Sequence, residues 1–353
     1  MTYKIAVLAG DGIGPEIMKE GLKVLRAIGK KYACDFVLQE ALIGGCAYEQ
    51  FAVPLPEATK KLCLAADAVL LGSIGGPKWD NLAPELRPEL GGLLALRKLL
   101  KLYANLRPIF LFSELQDISP LAFKTVSNSI DLVTVRELSS GIYFGKPKEL
   151  SDDFALDTMS YRRDEIVRIA HVAFGLAGKR QKRVTSVDKA NVLSSSMLWR
   201  KVVNELADGY PEIKLNHMYV DNAAMQLVLN PAQFDVILTE NLFGDILSDE
   251  SAAICGSLGM LPSASLGESV HLFEPAGGSA PDIAGKGIAN PIAQILSLAL
   301  MLEHSFALPA AAKDIVHAVH TVLKNGLRTA DIAGGGVKPV STAAMGDAIA
   351  ALL

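Results

Sequence analysis

The sequence has few cysteines, and Cys34, Cys46, Cys63 and Cys255 show neither a CxxC spacing nor a disulfide framework. Sparse thiols are typical of the reducing cytoplasm, because secreted scaffolds are rich in paired cysteines. We therefore predict a cytoplasmic protein whose cysteines are small core residues rather than nucleophiles.

Basic runs and long apolar runs are absent as well. The formal net charge is only −4, which argues against a nucleic acid or an anionic membrane as the partner. The longest apolar run, 292–302, contains Gln294 and ends before Glu303, so it is too short to span a bilayer. We expect no nucleic acid and no membrane among the partners of this chain.

A dinucleotide-binding fingerprint of the Rossmann type is also missing. The predicted first strand, 1–10, ends in Gly10-Asp-Gly-Ile-Gly-Pro-Glu16, whose glycine spacing differs from GxGxxG. Pro15 suits the first turn of a helix. The pattern predicts a strand-to-helix turn beside a cleft and excludes a Rossmann fold.

What is present is the pattern of an α/β protein with two domains. A chain of 353 residues exceeds what one hydrophobic core usually supports. Hydrophobic periodicity then places the strands and helices along the chain. Strands are predicted at 1–10, 65–72, 131–137, 183–188, 215–220 and 233–239, and helices at 90–103, 162–177 and 194–206.

Two carboxylates stand one helical turn apart in the segment 240–250. Asp245 and Asp249 share a helix face, where an exposed pair repels by roughly 0.2–0.5 kcal/mol. A divalent cation reverses the sign of this interaction, and ligands made of oxygen alone suit Mg2+ or Mn2+. A solvated acidic face is the alternative interpretation.

Three arginines have apolar neighbours. They are Arg97 after a leucine-rich stretch, Arg107 before a proline, and Arg136 within a predicted strand. A cation in such surroundings needs an anionic partner, which is either a protein carboxylate such as Glu137 or Glu114, or a ligand. Because guanidinium groups match carboxylates in shape, three of them favour a small polyanionic substrate.

Other candidate residues lie at strand ends and in glycine-rich turns. Lys189 and Asp221 each follow a predicted strand, where α/β enzymes place their chemistry. Tyr143 lies between two glycines. The loops 73–80 and 273–290 are rich in glycine and proline, which allows their backbone to approach a nucleotide closely.

Long motifs cover essentially the whole chain in one order. They are the segments 10–16, 75–79, 93–97, 105–108, 135–137, 141–145, 188–192, 241–249 and 278–286. In these motifs the chain resembles the β-decarboxylating dehydrogenases, and most closely the bacterial enzymes that act on 3-isopropylmalate.

The resemblance implies a two-domain isopropylmalate/isocitrate dehydrogenase-like α/β fold with a mixed, largely parallel sheet. Residues 1–103 with 256–353 would form a cofactor-side domain. Residues 104–255 would form a dimerisation and catalytic domain with a protruding arm at about 146–160. It also implies a homodimer with shared active sites, in which Lys189 and Asp221 act in the partner's site.

The resemblance further implies the oxidation of (2R,3S)-3-isopropylmalate by NAD+, with loss of CO2, to 4-methyl-2-oxopentanoate in leucine biosynthesis. Lys189 would be the general base and Tyr143 the proton donor. The implied ligands of Mg2+ or Mn2+ are Asp221, Asp245 and Asp249. The implied substrate contacts are Arg97, Arg107, Arg136, Asp221, Leu93, Leu94 and Val192.

The implied NAD contacts fall mostly in the two glycine-rich loops. They are Ile13, Gly76, Pro77, Lys78, Trp79, Glu89, Asn191, Gly278, Ser279, Ala280, Pro281, Asp282, Ile283, Ala284 and Asn290. Asp282 would accept hydrogen bonds from the ribose hydroxyls and repel a 2′-phosphate, which favours NAD over NADP. Gly277 stands where many relatives have histidine, so an adenine-stacking contact is expected to be missing.

Relatives that act on homoisocitrate, isocitrate or tartrate are the nearest alternative. Leu93 and Leu94 favour an isopropyl group, because a carboxylate-bearing side chain would require polar or cationic neighbours. A catalytically silent homologue that only binds ligand is a second alternative, and a structural metal-binding protein is a third. The catalytic set argues against the second, and the arginines and glycine-rich loops argue against the third.

Overall fold

The computed structural model describes residues 2–121, 130–334 and 336–353. Two units emerge from the contacts within the chain, Met1–Leu102 with Gly256–Leu353 and Tyr103–Cys255. The boundaries expected from the sequence differ from these units at Tyr103 alone.

Strands and helices alternate along both units. The strands are β1 (Thr2–Gly10), β2 (Asp35–Glu40), β3 (Ala68–Ser73), β4 (Ala104–Phe110), β5 (Asp131–Glu137), β6 (Lys148–Leu150), β7 (Ala155–Asp157), β8 (Arg183–Asp188), β9 (Lys214–Tyr219), β10 (Val236–Thr239), β11 (Pro262–Leu266) and β12 (His271–Pro275). The helices are α1 (Gly14–Tyr32), α2 (Gly45–Phe51), α3 (Glu57–Ala65), α4 (Ala95–Leu99), α5 (Arg163–Gly178), α6 (Ser194–Ala207), α7 (Val220–Leu229), α8 (Asn241–Ile254), α9 (Ile292–His304), α10 (Pro309–Lys324) and α11 (Thr342–Ala350). In the ranges that the structure describes, no helix is both long enough and apolar enough to cross a bilayer.

The first unit arranges its strands in the order β2-β1-β3-β12-β11. All of these pairs are parallel except β11 with β12, which is antiparallel. Every residue of β3 is buried, and α1 and α9 both contact this strand. A central parallel strand covered by helices has no polar face, which explains its continuous apolar sequence.

The second unit arranges its strands in the order β4-β5-β10-β8-β9. Only β4 is antiparallel to its neighbour, β5. Parallel pairing places the carboxyl ends of β5, β8, β9 and β10 at one edge, where α/β proteins bind ligands. The sheets confirm the predicted α/β class with mixed, largely parallel pairing, and strands β6 and β7 form a small antiparallel hairpin within the predicted arm.

The predicted helix at 90–103 is wrong in its boundaries. A wider π-type helix spans Pro88–Leu94, and α4 follows it only to Leu99. The chain then turns because Lys101 adopts a left-handed φ of 51° and the amide of Leu102 donates to the carbonyl of Arg97. A capping residue of this kind ends a helix whatever the hydrophobic pattern beyond it.

Two other expectations at strand ends are also corrected. The strand predicted at 233–239 is shorter, because Pro231–Gln233 forms a single helical turn before β10. The strand predicted at 215–220 ends at Tyr219, so Asp221 lies in the first turn of α7 rather than on the strand. An acidic residue suits this position because the helix dipole is positive there.

Candidate functional site

Two buried arginines of the second unit converge on one carboxylate. Nη2 of Arg107 lies 3.2 Å from Oδ1 of Asp245, and Nη1 of Arg136 forms a short hydrogen bond with the same oxygen. Nη1 of Arg107 also donates to Oδ1 of Asp249 at 3.0 Å. The two aspartates on one face of α8 are therefore neutralised by arginines from β4 and β5.

Arg136 is held by the start of α8 as well as by Asp245. Its Nε and Nη2 both donate to Oδ1 of Asn241, at 3.0 and 2.8 Å. The absence of a side chain at Gly244 is required here, because a Cβ would lie 2.7 Å from Cγ of Arg136. Only glycine lets α8 approach β5 closely enough for Asp245 to reach the guanidinium group.

Tyr143 joins this cluster through its hydroxyl group. The hydroxyl donates to Oδ2 of Asp245 at 2.9 Å, and the ring centroid lies 5.6 Å from the guanidinium carbon of Arg136. Burial raises the pKa of the Tyr143 hydroxyl, and the negative charge of Asp245 raises it further. Tyr143 is thus held protonated, with its polar tip beside the carboxylates.

The turn that presents Tyr143 depends on Gly141. This glycine has a φ of 77°, and a Cβ on it would lie 2.3 Å from the hydroxyl oxygen of Tyr161. That oxygen accepts the backbone N–H of Asn241 at 2.8 Å. Tyr161 therefore ties the first turn of α8 to the turn that carries the catalytic candidate.

The chemistry of the carboxylate pair fits a hard divalent cation. The side chain of Asp245 is 32% exposed and that of Asp249 is 52% exposed, so both carboxylates are partly accessible to solvent. Burial raises the pKa of Asp249, and the charge of Asp245 acts in the same direction against the lowering effect of Arg107. A bound Mg2+ or Mn2+ would relieve this repulsion through oxygen ligands.

The third predicted metal ligand pairs with the predicted base. Nζ of Lys189 lies 2.8 Å from Oδ2 of Asp221, and this contact lowers the pKa of the Asp221 carboxyl group. Within the described residues of one chain, no three His, Cys, Asp or Glu side chains form a metal-binding group. Asp221 thus joins Lys189 rather than completing a three-aspartate cluster within a single chain.

Arg97 lies in the first unit and has a protein partner there. Its Nη2 donates to Oε1 of Glu274 at 2.8 Å, and both side chains are buried. Its Nε is also buried and has no hydrogen-bond partner among the residues that the structure describes. Leu93 and Leu94 lie at the end of the π-type helix, half-buried, just before α4.

The carboxylate of Asp11 organises the loops of the first unit. Its Oδ2 accepts the backbone N–H groups of Gly45 and Gly75, and its Oδ1 accepts that of Cys46, all at 2.8 Å. The carbonyl of Ser279 accepts the N–H of Ile13 at 2.8 Å. The turn after β1 is therefore tied to α2, to the loop after β3 and to the loop after β12.

A cavity of about 530 Å3 opens beside these loops in the first unit. Its apolar wall includes Ile13, Leu258 and Ile283. Its polar side contains Asn290 and Asp331, whose Nδ2 and Oδ2 atoms are 3.0 Å apart. An apolar slot with a few fixed polar groups is the usual form of a small-molecule site.

Sequence reasoning named only part of this cavity. Of the predicted cofactor residues, Ile13, Gly278, Ala280, Ile283 and Asn290 line it. Leu258 and Asp331 also line it but were missed, because neither belongs to a glycine-rich motif. Asn241, Glu274 and Tyr161 were missed as partners for another reason, since their contacts come from residues distant in sequence.

The sequence matches the isocitrate/isopropylmalate dehydrogenase family over residues 4–349. The chain belongs to this family. A 3-isopropylmalate dehydrogenase of Thermotoga maritima is 63% identical over 346 residues, covering 98% of each chain. That of Geobacter sulfurreducens is 56% identical over 359 residues, covering 100% of this chain and 99% of the relative.

Solved structures of the family share the fold. The isocitrate dehydrogenase of Methylococcus capsulatus superposes with a TM-score of 0.87 at 37% identity, covering 99% of both chains. A beta-decarboxylating dehydrogenase of Thermococcus kodakarensis, in its apo form, superposes with a TM-score of 0.80 at 36% identity. That alignment covers 99% of this chain and 96% of the other.

The carboxylate pair gives a testable metal requirement. Asp249→Asn is expected to raise the Mg2+ or Mn2+ concentration for half-maximal binding at least about tenfold, because a charged oxygen ligand is lost. Isothermal titration calorimetry measures the affinity. Glu250→Gln, on the next position of α8, is the matched control and should leave it unchanged; equal affinities in both variants would contradict the assignment.

Proposed function

We propose that the chain catalyses the NAD-dependent oxidative decarboxylation of (2R,3S)-3-isopropylmalate to 4-methyl-2-oxopentanoate and CO2, a step of leucine biosynthesis. The cluster of Arg107, Arg136, Tyr143, Asp245 and Asp249 carries the proposal, together with full-length similarity to 3-isopropylmalate dehydrogenases. A dicarboxylic substrate requires cations that recognise carboxylates, and the reaction requires proton donors beside them.

The arginines are assigned to the substrate carboxylates. Arg107 and Arg136 are buried directly against Asp245, and the buried Nε of Arg97 has no hydrogen-bond partner among the described residues. Planar guanidinium groups bind carboxylates in a fixed orientation. Such contacts hold the C2 hydroxyl of the substrate in one position and thereby lower the entropic part of the barrier.

Two residues are assigned to proton transfer. Lys189 takes the proton of the C2 hydroxyl, directly or through water, and Asp221 at 2.8 Å holds its Nζ in place. Tyr143 is protonated because burial and Asp245 raise its pKa, and it delivers a proton to the carbon that loses CO2. The base and the acid therefore have different environments, as acid–base catalysis requires.

The bound groups supply the remaining chemistry. A bound NAD+ would supply the hydride acceptor, and a bound divalent cation would supply Lewis-acid chemistry. Asp245 and Asp249 are assigned to the cation, with Asp221 as the third ligand. The cavity beside Ile13, Ile283 and Asn290 is assigned to the adenosine part of NAD. The other predicted contacts remain assigned to the cofactor, and they are Gly76, Pro77, Lys78, Trp79, Glu89, Asn191, Ser279, Pro281, Asp282 and Ala284.

The second unit supports a homodimer. Its exposed apolar side chains are concentrated on helices and on the arm, and they include Met197, Met225, Val228, Leu229, Ile246, Leu150 and Phe154. On α7, Met225, Val228 and Leu229 repeat at helical spacing and form one apolar face. Large exposed apolar patches mark interaction sites, so a second copy of this chain is the proposed partner.

The four unpaired cysteines support a cytoplasmic enzyme.

The substrate is tested with a panel of 2-hydroxy diacids and NADH absorbance as the readout. Burying three carbons of an isopropyl group recovers roughly 1.5–3 kcal/mol. We therefore expect kcat/KM for 3-isopropylmalate to exceed that for malate by roughly ten- to two-hundredfold. Faster turnover of homoisocitrate, isocitrate or tartrate would refute the substrate but not the reaction class. Leu93→Ala with Leu94→Ala should flatten the preference, whereas Leu90→Ala, an exposed position in the same helix, should not.

The preference for NAD is assigned to Asp282. Replacing Asp282 and Ile283 by Lys and Tyr should move the ratio of kcat/KM values toward NADP by at least about tenfold, because charge-assisted hydrogen bonds are worth roughly 1.5–3 kcal/mol each. Asp282→Asn, which removes the charge without adding a cation, should give a smaller shift. An unchanged ratio in both variants would mean that the ribose is recognised elsewhere.

The shared active site is tested with mixed dimers. Lys189→Ala and Tyr143→Phe chains, each with only a small residual rate, should recover up to about one quarter of the wild-type rate after reassembly, because half of the chains form hybrids with one intact site. Lys189→Ala mixed with Asp221→Asn is the control, and it should stay inactive since both residues serve the partner's site. Inactive hybrids in the first mixture, with heterodimers verified by mass spectrometry, would contradict this assignment.

A further inference from the structure

One ion pair of the second unit involves Asp188, the residue just before Lys189. Arg200, on α6, donates from Nε to Oδ2 of Asp188 at 2.9 Å and from Nη2 to Oδ1 at 2.8 Å. The Asp188 side chain is fully buried. The imidazole of His217 lies 4.0 Å from Asp188, and burial lowers the pKa of that histidine. Arg200, which makes two hydrogen bonds to Asp188, is therefore the cation that balances its charge.

Asp188 fixes the turn that begins at Lys189. Its Oδ1 also accepts the backbone N–H of Ala190 at 2.9 Å. The carbonyl of Lys189 in turn accepts the N–H groups of Val192 and Leu193, both at 3.0 Å. Because a carboxylate with two partners on one oxygen cannot rotate freely, the backbone of Lys189 is locked to the end of β8.

The same guanidinium group also reaches the neighbouring strand. Its central carbon lies 4.9 Å from the ring centroid of Tyr219, the last residue of β9. Tyr219 precedes α7, whose first turn carries Asp221. A cation over an aromatic face is attracted to it, so Arg200 contacts side chains from the ends of both β8 and β9, where Asp188 and Tyr219 are also paired in the sheet.

We propose that Arg200 is a positioning residue that sets Lys189 and Asp221 at hydrogen-bond distance, through Asp188 on one strand and Tyr219 on the next. Lys189 directly follows Asp188, and Asp221 follows Tyr219 by two residues. The inference rests on the proposed function for its kinetic consequences. The structural part of the proposal concerns the 2.8 Å contact between Lys189 and Asp221, which does not depend on the identity of the substrate.

An ion pair at the starts of the neighbouring strands β5 and β10 provides the matched control. Nε of Arg180 donates to Oδ1 of Asp235 at 2.8 Å, and its Nη2 donates to Oδ1 of Asp131 at 2.8 Å. The Asp235 side chain is fully buried, as that of Asp188 is. Arg180 therefore stabilises the strand starts, whereas Arg200 acts at the strand ends that carry the chemistry.

The test compares Arg200→Met with Arg180→Met in the full-length enzyme. Arg200→Met should lower kcat for 3-isopropylmalate at least tenfold while KM for NAD+ stays within twofold, because the base is misplaced and the cofactor loops are untouched. Arg180→Met should lower Tm but leave kcat within twofold at a temperature where both variants are folded. Arg200→Lys, which keeps the charge but loses the two-point contact, should fall between wild type and Arg200→Met.

A double variant separates positioning from general damage. If Arg200 acts through Lys189 and Asp221, adding Arg200→Met to Lys189→Ala should lower the residual kcat by clearly less than the same change does in the wild type, because one of the two positioned groups is already absent. The proposal would be overturned if the kcat loss of the double variant equalled the product of the two single losses. Equal kcat losses in Arg180→Met and Arg200→Met would overturn it too. Unchanged kcat in folded Arg200→Met and Arg200→Lys would overturn it as well.

Crystal structures of the variants distinguish failure of this inference from failure of the proposed function. In Arg200→Met and Arg200→Lys the distance between Nζ of Lys189 and Oδ2 of Asp221 should lengthen beyond hydrogen-bond range, and in Arg180→Met it should stay the same. An unchanged distance in the Arg200 variants refutes positioning whatever the substrate is. A wild-type enzyme inactive on every diacid of the panel, with the distance changed as expected, would refute the proposed function alone.

Discussion

The second unit depends on two guanidinium groups that are buried beside a single carboxylate. Taking Arg107 and Arg136 out of water costs several kcal/mol each unless acceptors surround them, and Asp245 is the acceptor they share. The rest of the local structure follows from this requirement. Gly244 lets α8 come close, Asn241 accepts hydrogen bonds from Nε and Nη2 of Arg136, and Ser248 accepts from Arg107 at 2.7 Å. A site built this way has its charges arranged before a ligand arrives.

Much of this arrangement was predictable from the sequence, for identifiable reasons. The strands at 131–137 and 183–188 were predicted with their observed bounds, since β-branched residues between charged residues mark both ends of each strand. The spacing of Asp245 and Asp249 fixed their common face, because helical periodicity is rigid. The position of Arg136 within an apolar strand predicted an anionic neighbour, and in the structure that neighbour is Asp245.

The identity of distant partners was not predictable in the same way. Glu274 lies 177 positions from Arg97 along the chain, and no local pattern joins them. The π-type helix at Pro88–Leu94 was also not predicted, because a wider helix has more residues per turn than the α-helical period used to interpret the hydrophobic pattern. Asp331 was missed in the cofactor cavity since one acidic residue in a surface-like segment carries no distinctive signal. Tertiary contacts decide such positions, and a single sequence does not contain them.

The three amide hydrogen bonds of Asp11 have a consequence for how the first unit opens. Gly45 and Cys46 begin α2, whereas Gly75 lies in the loop after β3, yet one carboxylate accepts hydrogen bonds from both segments. Releasing either segment weakens the anchor of the other. Such segments lose their amide protection against hydrogen exchange together rather than one at a time. The segments that Asp11 holds are thus expected to open together.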